Sequence, residues 1–158
     1  MSTATWTLAS LLIHVPIVVA WIALVGIEVF LCTARDASGG QRMRSIAAMR
    51  WPTVVLIVVF MVTGVWQTMH NPFVPVSSWD TLQELKNTTI YGMALFVKHI
   101  FVAGTVVLSV ASRFVIAPRA LARDEDAASG TLRLLAWLNL LACLATLLAT
   151  TRMTMTLH

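Results

Sequence analysis

Four stretches of this chain, Leu8 to Leu31, Pro52 to Met69, Ile90 to Ile116 and Leu132 to Thr151, are almost continuously apolar. A helix rises 1.5 Å per residue, so crossing a hydrocarbon core about 30 Å thick takes roughly 20 residues. Each stretch is of that order. Helices of a soluble bundle carry a polar outer face at helical period, and these stretches do not. Of the 158 residues, 58% are hydrophobic and 11% charged, against about 25% charged in soluble domains. The architecture expected is all-α, a four-transmembrane-helix bundle forming a single membrane domain over residues 1–158. Cys32 and Cys143 alone make no disulfide scaffold.

The net charge of +4 would suggest nucleic-acid binding in a soluble protein, but here the basic residues mark topology. The connection from Cys32 to Trp51 holds Arg35, Arg42, Arg44 and Arg50. The connection from Ala117 to Thr131 holds Arg119 and Arg123, flanked by Arg113 and Arg133. Lys86 stands alone in the middle connection, and Arg152 alone in the tail. The positive-inside rule then puts both termini outside and the arginine connections in the cytoplasm, with no nucleic-acid partner. Met1 to Ser10 lacks the basic flank of a cleaved signal, so the first apolar stretch reads as a retained span. In the middle connection, Ser77 with Asp80 fits a capping box. A short interfacial helix anchored by Trp79 is expected there.

Ionisable side chains inside spans are costly and need a partner or a purpose. The first span holds His14 and Glu28; the third holds Lys98, His99 and Arg113. From His14 to Glu28 and from His99 to Arg113 the interval is fourteen residues each, close to four turns or roughly 21 Å on one helix face. Spans one and three run in the same direction, so His14 should lie level with His99, and Glu28 with Arg113. Glu28 and Arg113 then read as a structural ion pair that fixes the rotation of the two helices; the alternative is that Arg113 snorkels to the headgroups while Glu28 binds water. The two helices are expected to stand side by side, facing their imidazoles into a common pocket. Two neutral imidazoles at one depth suit a metal ion or the iron of a haem b, or else hydrogen bonds to neighbouring helices. Lys98 needs an acceptor at that depth, such as a propionate or water.

Met69-His70 ends the second span, and Met153-Thr-Met155-Thr-Leu-His158 ends the chain. Thioether and imidazole together suit Cu(I), whereas single methionines more often fill gaps in a core. A candidate copper set is therefore Met69, His70, Met153, Met155 and His158 near the surface, with His14 and His99 deeper. Thr63, Gln67 and His70 share one face of the second span, and Asn139, Thr146 and Thr150 one face of the fourth. No phosphate loop, Cys-x-x-Cys, His-Glu-x-x-His or Gly-x-Ser-x-Gly pattern occurs.

Arg50-Trp51-Pro52 through Val62-Thr63-Gly64-Val65-Trp66 resembles the second span of the copper-resistance D (CopD) family. Thr88-Thr89-Ile90-Tyr91-Gly92 through Leu95 and Lys98 resembles that family's Thr-x-Tyr-Gly-x-x-Leu-x-x-Lys entry to the next span. Arg113, Pro118 and Arg119 fit its basic exit. His14 followed by Trp21 resembles the first span shared with HemJ-type four-span haem b proteins, and Lys98 resembles their lysine. Where HemJ proteins have Leu-Pro-Arg after that tryptophan, this chain reads Val25-Gly26-Ile27-Glu28.

The CopD resemblance implies copper binding or uptake at the bacterial inner membrane, beside a periplasmic copper-binding protein. A minimal member would work as a homo-oligomer or as a subunit of a larger complex. The HemJ resemblance implies a haem-dependent oxidoreductase with a redox partner, His14 and His99 serving as axial ligands. A structural subunit without cofactor is the third reading.

Overall fold

A computed structural model describes residues 3–34, 38–71, 74, 76–123 and 128–155. The described residues are 93% helical, with no strand among them. Among the described residues seven α-helices follow one another: α1 (Thr3–Thr33), α2 (Gly39–Ala48), α3 (Arg50–Met69), α4 (Trp79–Thr88), α5 (Ile90–Val110), α6 (Ala117–Arg123) and α7 (Ala128–Met155). A π-helical turn, Ala111–Ile116, joins α5 to α6 without a break. Four runs are long and apolar enough to cross a membrane: Thr5–Thr33, Gly39–Met69, Ile90–Arg123 and Gly130–Met155. With four crossings, both termini lie at one end of the bundle and the arginine-rich connections at the other.

Much of the outer surface is apolar. Leu12, Phe30 and Leu148 are each 67–68% exposed. Water would penalise a surface like this, whereas acyl chains would not, because the helices satisfy their own backbone groups. The bundle therefore belongs in a lipid bilayer.

The arginine connections are more ordered than apolar patterning alone suggests. Ser38 accepts a hydrogen bond from the Gln41 amide and starts α2, a standard N-cap arrangement. Met43 and Ile46 then bury themselves with Cys32, Ala117, Ala120, Leu132 and Ala136. Arg42 donates to the Ala34 carbonyl, tying α2 back to the end of α1. At the other end the cap of α4 is Ser78, not Ser77: its hydroxyl accepts from the Thr81 amide at 3.2 Å, so the helix begins one residue later than the Ser77 capping box implies.

Neighbour order corrects one expectation. α5 packs most extensively against α7, and α1 against α3 and α7, while α1 and α5 barely touch. The first and third spans therefore face one another diagonally instead of standing side by side. Small buried residues explain the preference of α5 for α7: Thr105 and Ser109 on one, Ala136, Asn139 and Cys143 on the other. They let the two backbones approach, and Asn139 Nδ2 donates to Ser109 Oγ at 2.8 Å. The spans converge around Trp21, Val25 and Cys143, with Leu56, Ile57 and Val106 packed against them. α3 and α5 meet at few points, and a cavity lies between them.

Candidate functional site

Toward the arginine end, Glu28 and Arg113 are completely buried. Arg113 donates from Nε and Nη2 to Glu28 Oε2 at 3.0 and 2.7 Å, and from Nη1 to Thr53 Oγ1 at 2.5 Å. Thr53 passes its own hydroxyl proton to the Met49 carbonyl at 2.8 Å, which leaves a lone pair for the guanidinium. An ion pair inside the bundle thus bridges α1 to the π-helical turn that continues α5. The π-turn surrounds Arg113 and buries Ser112 beside it.

Toward the terminal end a cavity of about 580 Å³ opens between α3 and α5, with His14, Lys98 and His99 in its wall. This is the size of a small-molecule site, about 300–1,000 Å³. Diagonal placement puts the two histidine-bearing faces across this space from one another rather than against one another.

Hydrogen bonding fixes the tautomer of each imidazole. Thr63 Oγ1 gives its single proton to the Val59 carbonyl at 2.7 Å, so at 2.8 Å from His14 Nδ1 it accepts. His99 Nδ1 lies 2.7 Å from the Leu95 carbonyl, which only accepts. In the neutral tautomer that these contacts favour, with the proton on Nδ1, both rings present Nε2 as a free lone pair, the form in which histidine ligates metals. The His14 ring also stacks on Phe60 at 5.1 Å, and Phe60 on Trp21 at 6.5 Å. Gly64 lets α3 pass close to this ring: an added Cβ would stand 3.3 Å from His14 Cε1.

Lys98 has no hydrogen-bonding or ionic partner among the described residues, and its ammonium group belongs to a largely apolar wall. The cavity's terminal end is covered. Asn71 Nδ2 donates to Tyr91 Oη at 2.7 Å, and the Val76 amide returns to the Thr68 carbonyl at 3.2 Å. Val76, Leu82, Tyr91 and Leu95 form a buried cluster there, with Met153 packed against it. Gly92 is required at this elbow, because a Cβ would overlap the Leu85 carbonyl.

The other expected ligands are dispersed. Met153 reaches the cavity wall; Met69 and His70 do not. His70 instead stacks on Trp66 at 4.0 Å, with Nδ1 3.1 Å from the Trp66 carbonyl. Met155 is 71% exposed, and His158 lies outside the described residues. No group of three or more His, Cys, Asp or Glu side chains is placed to hold a metal ion among the described residues. Phe60, Asn71 and Thr53 contribute to these sites without a sequence signal of their own. Thr63 is visible only within a polar stripe and a span motif, and Tyr91 only as part of a motif.

Fold and surface together define a multi-pass membrane protein with an internal, imidazole-bearing cavity. Comparison of the chain with family models, curated proteins and solved structures finds no match.

Proposed function

We propose that this chain is a membrane haem b protein, a redox subunit of a bacterial inner membrane, with His14 and His99 as the iron ligands. One observation carries the reading: two imidazoles on diagonal helices share one cavity, and each keeps Nε2 bare because Nδ1 is engaged. A bare metal ion is held at about 2 Å by close-packed ligands and needs no space of this size. A macrocycle does. The fit extends to charge, since Lys98 supplies a cation for a propionate in a wall that is otherwise apolar. Phe60 and the surrounding aliphatic side chains offer the dry, flat contact that a porphyrin face prefers. Haem would supply one-electron chemistry. The chain's own residues orient the imidazoles through Thr63 and the Leu95 carbonyl, exclude water, and neutralise the acidic edge.

The exposed Arg44, Arg50, Arg119 and Arg133 support a cytoplasmic location for their end of the bundle by the positive-inside rule, and with it a cavity in the outer leaflet. α4 then lies at the outer interface, with exposed Trp79 as its anchor. Copper handling of the CopD type is the second reading, favoured by the Met61 and Met153 thioethers in the same wall as the two histidines.

Metal analysis and the absorption spectrum of detergent-purified protein separate the two. Haem binding predicts iron and a Soret band that His14→Ala and His99→Ala each shift and weaken and that the double variant abolishes. Stoichiometric copper without a Soret band would replace this reading with the second, and neither metal would remove both.

A further inference from the structure

The cavity has a side entrance. Four residues belong at once to its wall and to the exposed apolar surface: Met61 and Val65 on α3, Ala103 and Val107 on α5. Met61, Val65 and Val107 are 44, 51 and 65% exposed. On each helix the two residues are four apart, so they stack one turn above the other on a single face. Together they frame a slot along the line where α3 and α5 scarcely meet. The terminal end, by contrast, is shut by the Asn71–Tyr91 hydrogen bond and the Val76, Leu82, Tyr91 and Leu95 cluster. The opposite end closes on Trp21, Val25 and Cys143.

We propose that the cavity is loaded sideways from the bilayer through the α3–α5 slot, by a membrane-dissolved lipophile whose acidic group comes to rest on Lys98. This rests on the cavity being a ligand site, and deepens that reading by naming the route and the acidic group. An unpaired ammonium in an apolar wall attracts an anion and little else, because desolvation without a counter-charge is costly. The aliphatic slot offers the rest of such a molecule no polar barrier on its way in from lipid.

Two measurements on the full chain in phosphatidylcholine vesicles test this. A nitroxide attached through Val102→Cys on the cavity wall, in a Cys32→Ser, Cys143→Ser background, reports collisions with lipid-soluble oxygen and with a water-soluble nickel chelate. No haem is needed. Oxygen collisions should dominate, and Val107→Trp should cut them severalfold while Tyr91→Phe leaves them unchanged. Ala103→Leu, a smaller obstruction, gives the same direction if Val107→Trp does not fold. Nickel collisions equal to those of oxygen, or no effect of either obstruction, would overturn the lateral route even if the protein proves to be a haem protein.

The second measurement compares haem with its dimethyl ester. The acid should bind at least tenfold more tightly to the parent chain, and Lys98→Met should erase the difference. Equal binding of acid and ester by the parent chain overturns the role of Lys98. Failure of both compounds to bind sinks the haem reading and with it the Lys98 assignment, while the nitroxide result still decides the route.

Discussion

Removing one side of the Glu28–Arg113 pair strands the other charge in a site with no access to water. Loss of one partner of a buried pair typically costs about 3–5 kcal/mol, so Glu28→Ala and Arg113→Ala should each lower the thermal midpoint markedly. Thr53→Val removes one hydrogen bond to a charged group, worth about 1.5–3 kcal/mol, and should fall below either. A double Glu28→Ala, Arg113→Ala variant recovering much of the loss would show that the pair acts as a unit. At the cavity, Thr63→Val takes away the acceptor that holds His14 Nδ1. Such outer partners are worth about 10- to 100-fold in metal affinity, and haem titration of this variant should show a loss of that order with the fold intact. His70→Ala, by contrast, should leave haem affinity unchanged, since that ring is stacked on Trp66 away from the cavity.

At the scale of elements, the elbow between α4 and α5 depends on Gly92. Gly92→Ala drives a Cβ into the Leu85 carbonyl, and overpacking of this kind costs about 1–3 kcal/mol. The expected readout is a lower thermal midpoint with a shifted Trp79 emission, since Trp79 lies over Phe96 at 5.9 Å. The spans themselves are legible in the sequence because lipid imposes a length and a composition that no soluble helix shares. Matched fourteen-residue intervals also pair Glu28 with Arg113, which bond to each other, and His14 with His99, which line one cavity. They hold no information on which helices are neighbours. That order follows from small residues on α5 and α7, and it turns the side-by-side expectation into a diagonal one. Diagonal helices can still share an interior, so the Glu28–Arg113 bridge forms and a cavity appears between the histidine faces instead of a direct contact. The scattered Met69, His70 and Met155 illustrate the converse: residues adjacent in a motif need not converge in space. α2 and α6 are hard to read as structure because their arginines advertise topology more loudly than Met43, Ile46 and Ala120 advertise burial.

The whole molecule is a bundle closed tightly at its arginine end by a buried ion pair and left open between α3 and α5 at the other. In the proposed reading, the tied end holds the helices in register while the sparsely packed α3–α5 side admits the ligand. Ligation by both imidazoles is the central claim, and low-temperature electron paramagnetic resonance of the ferric protein tests it most directly. Two imidazole ligands predict a low-spin signal that becomes high-spin when either His14→Ala or His99→Ala leaves only one imidazole to hold the iron. A high-spin signal from the unaltered protein, or a low-spin signal that survives loss of either histidine, would contradict it.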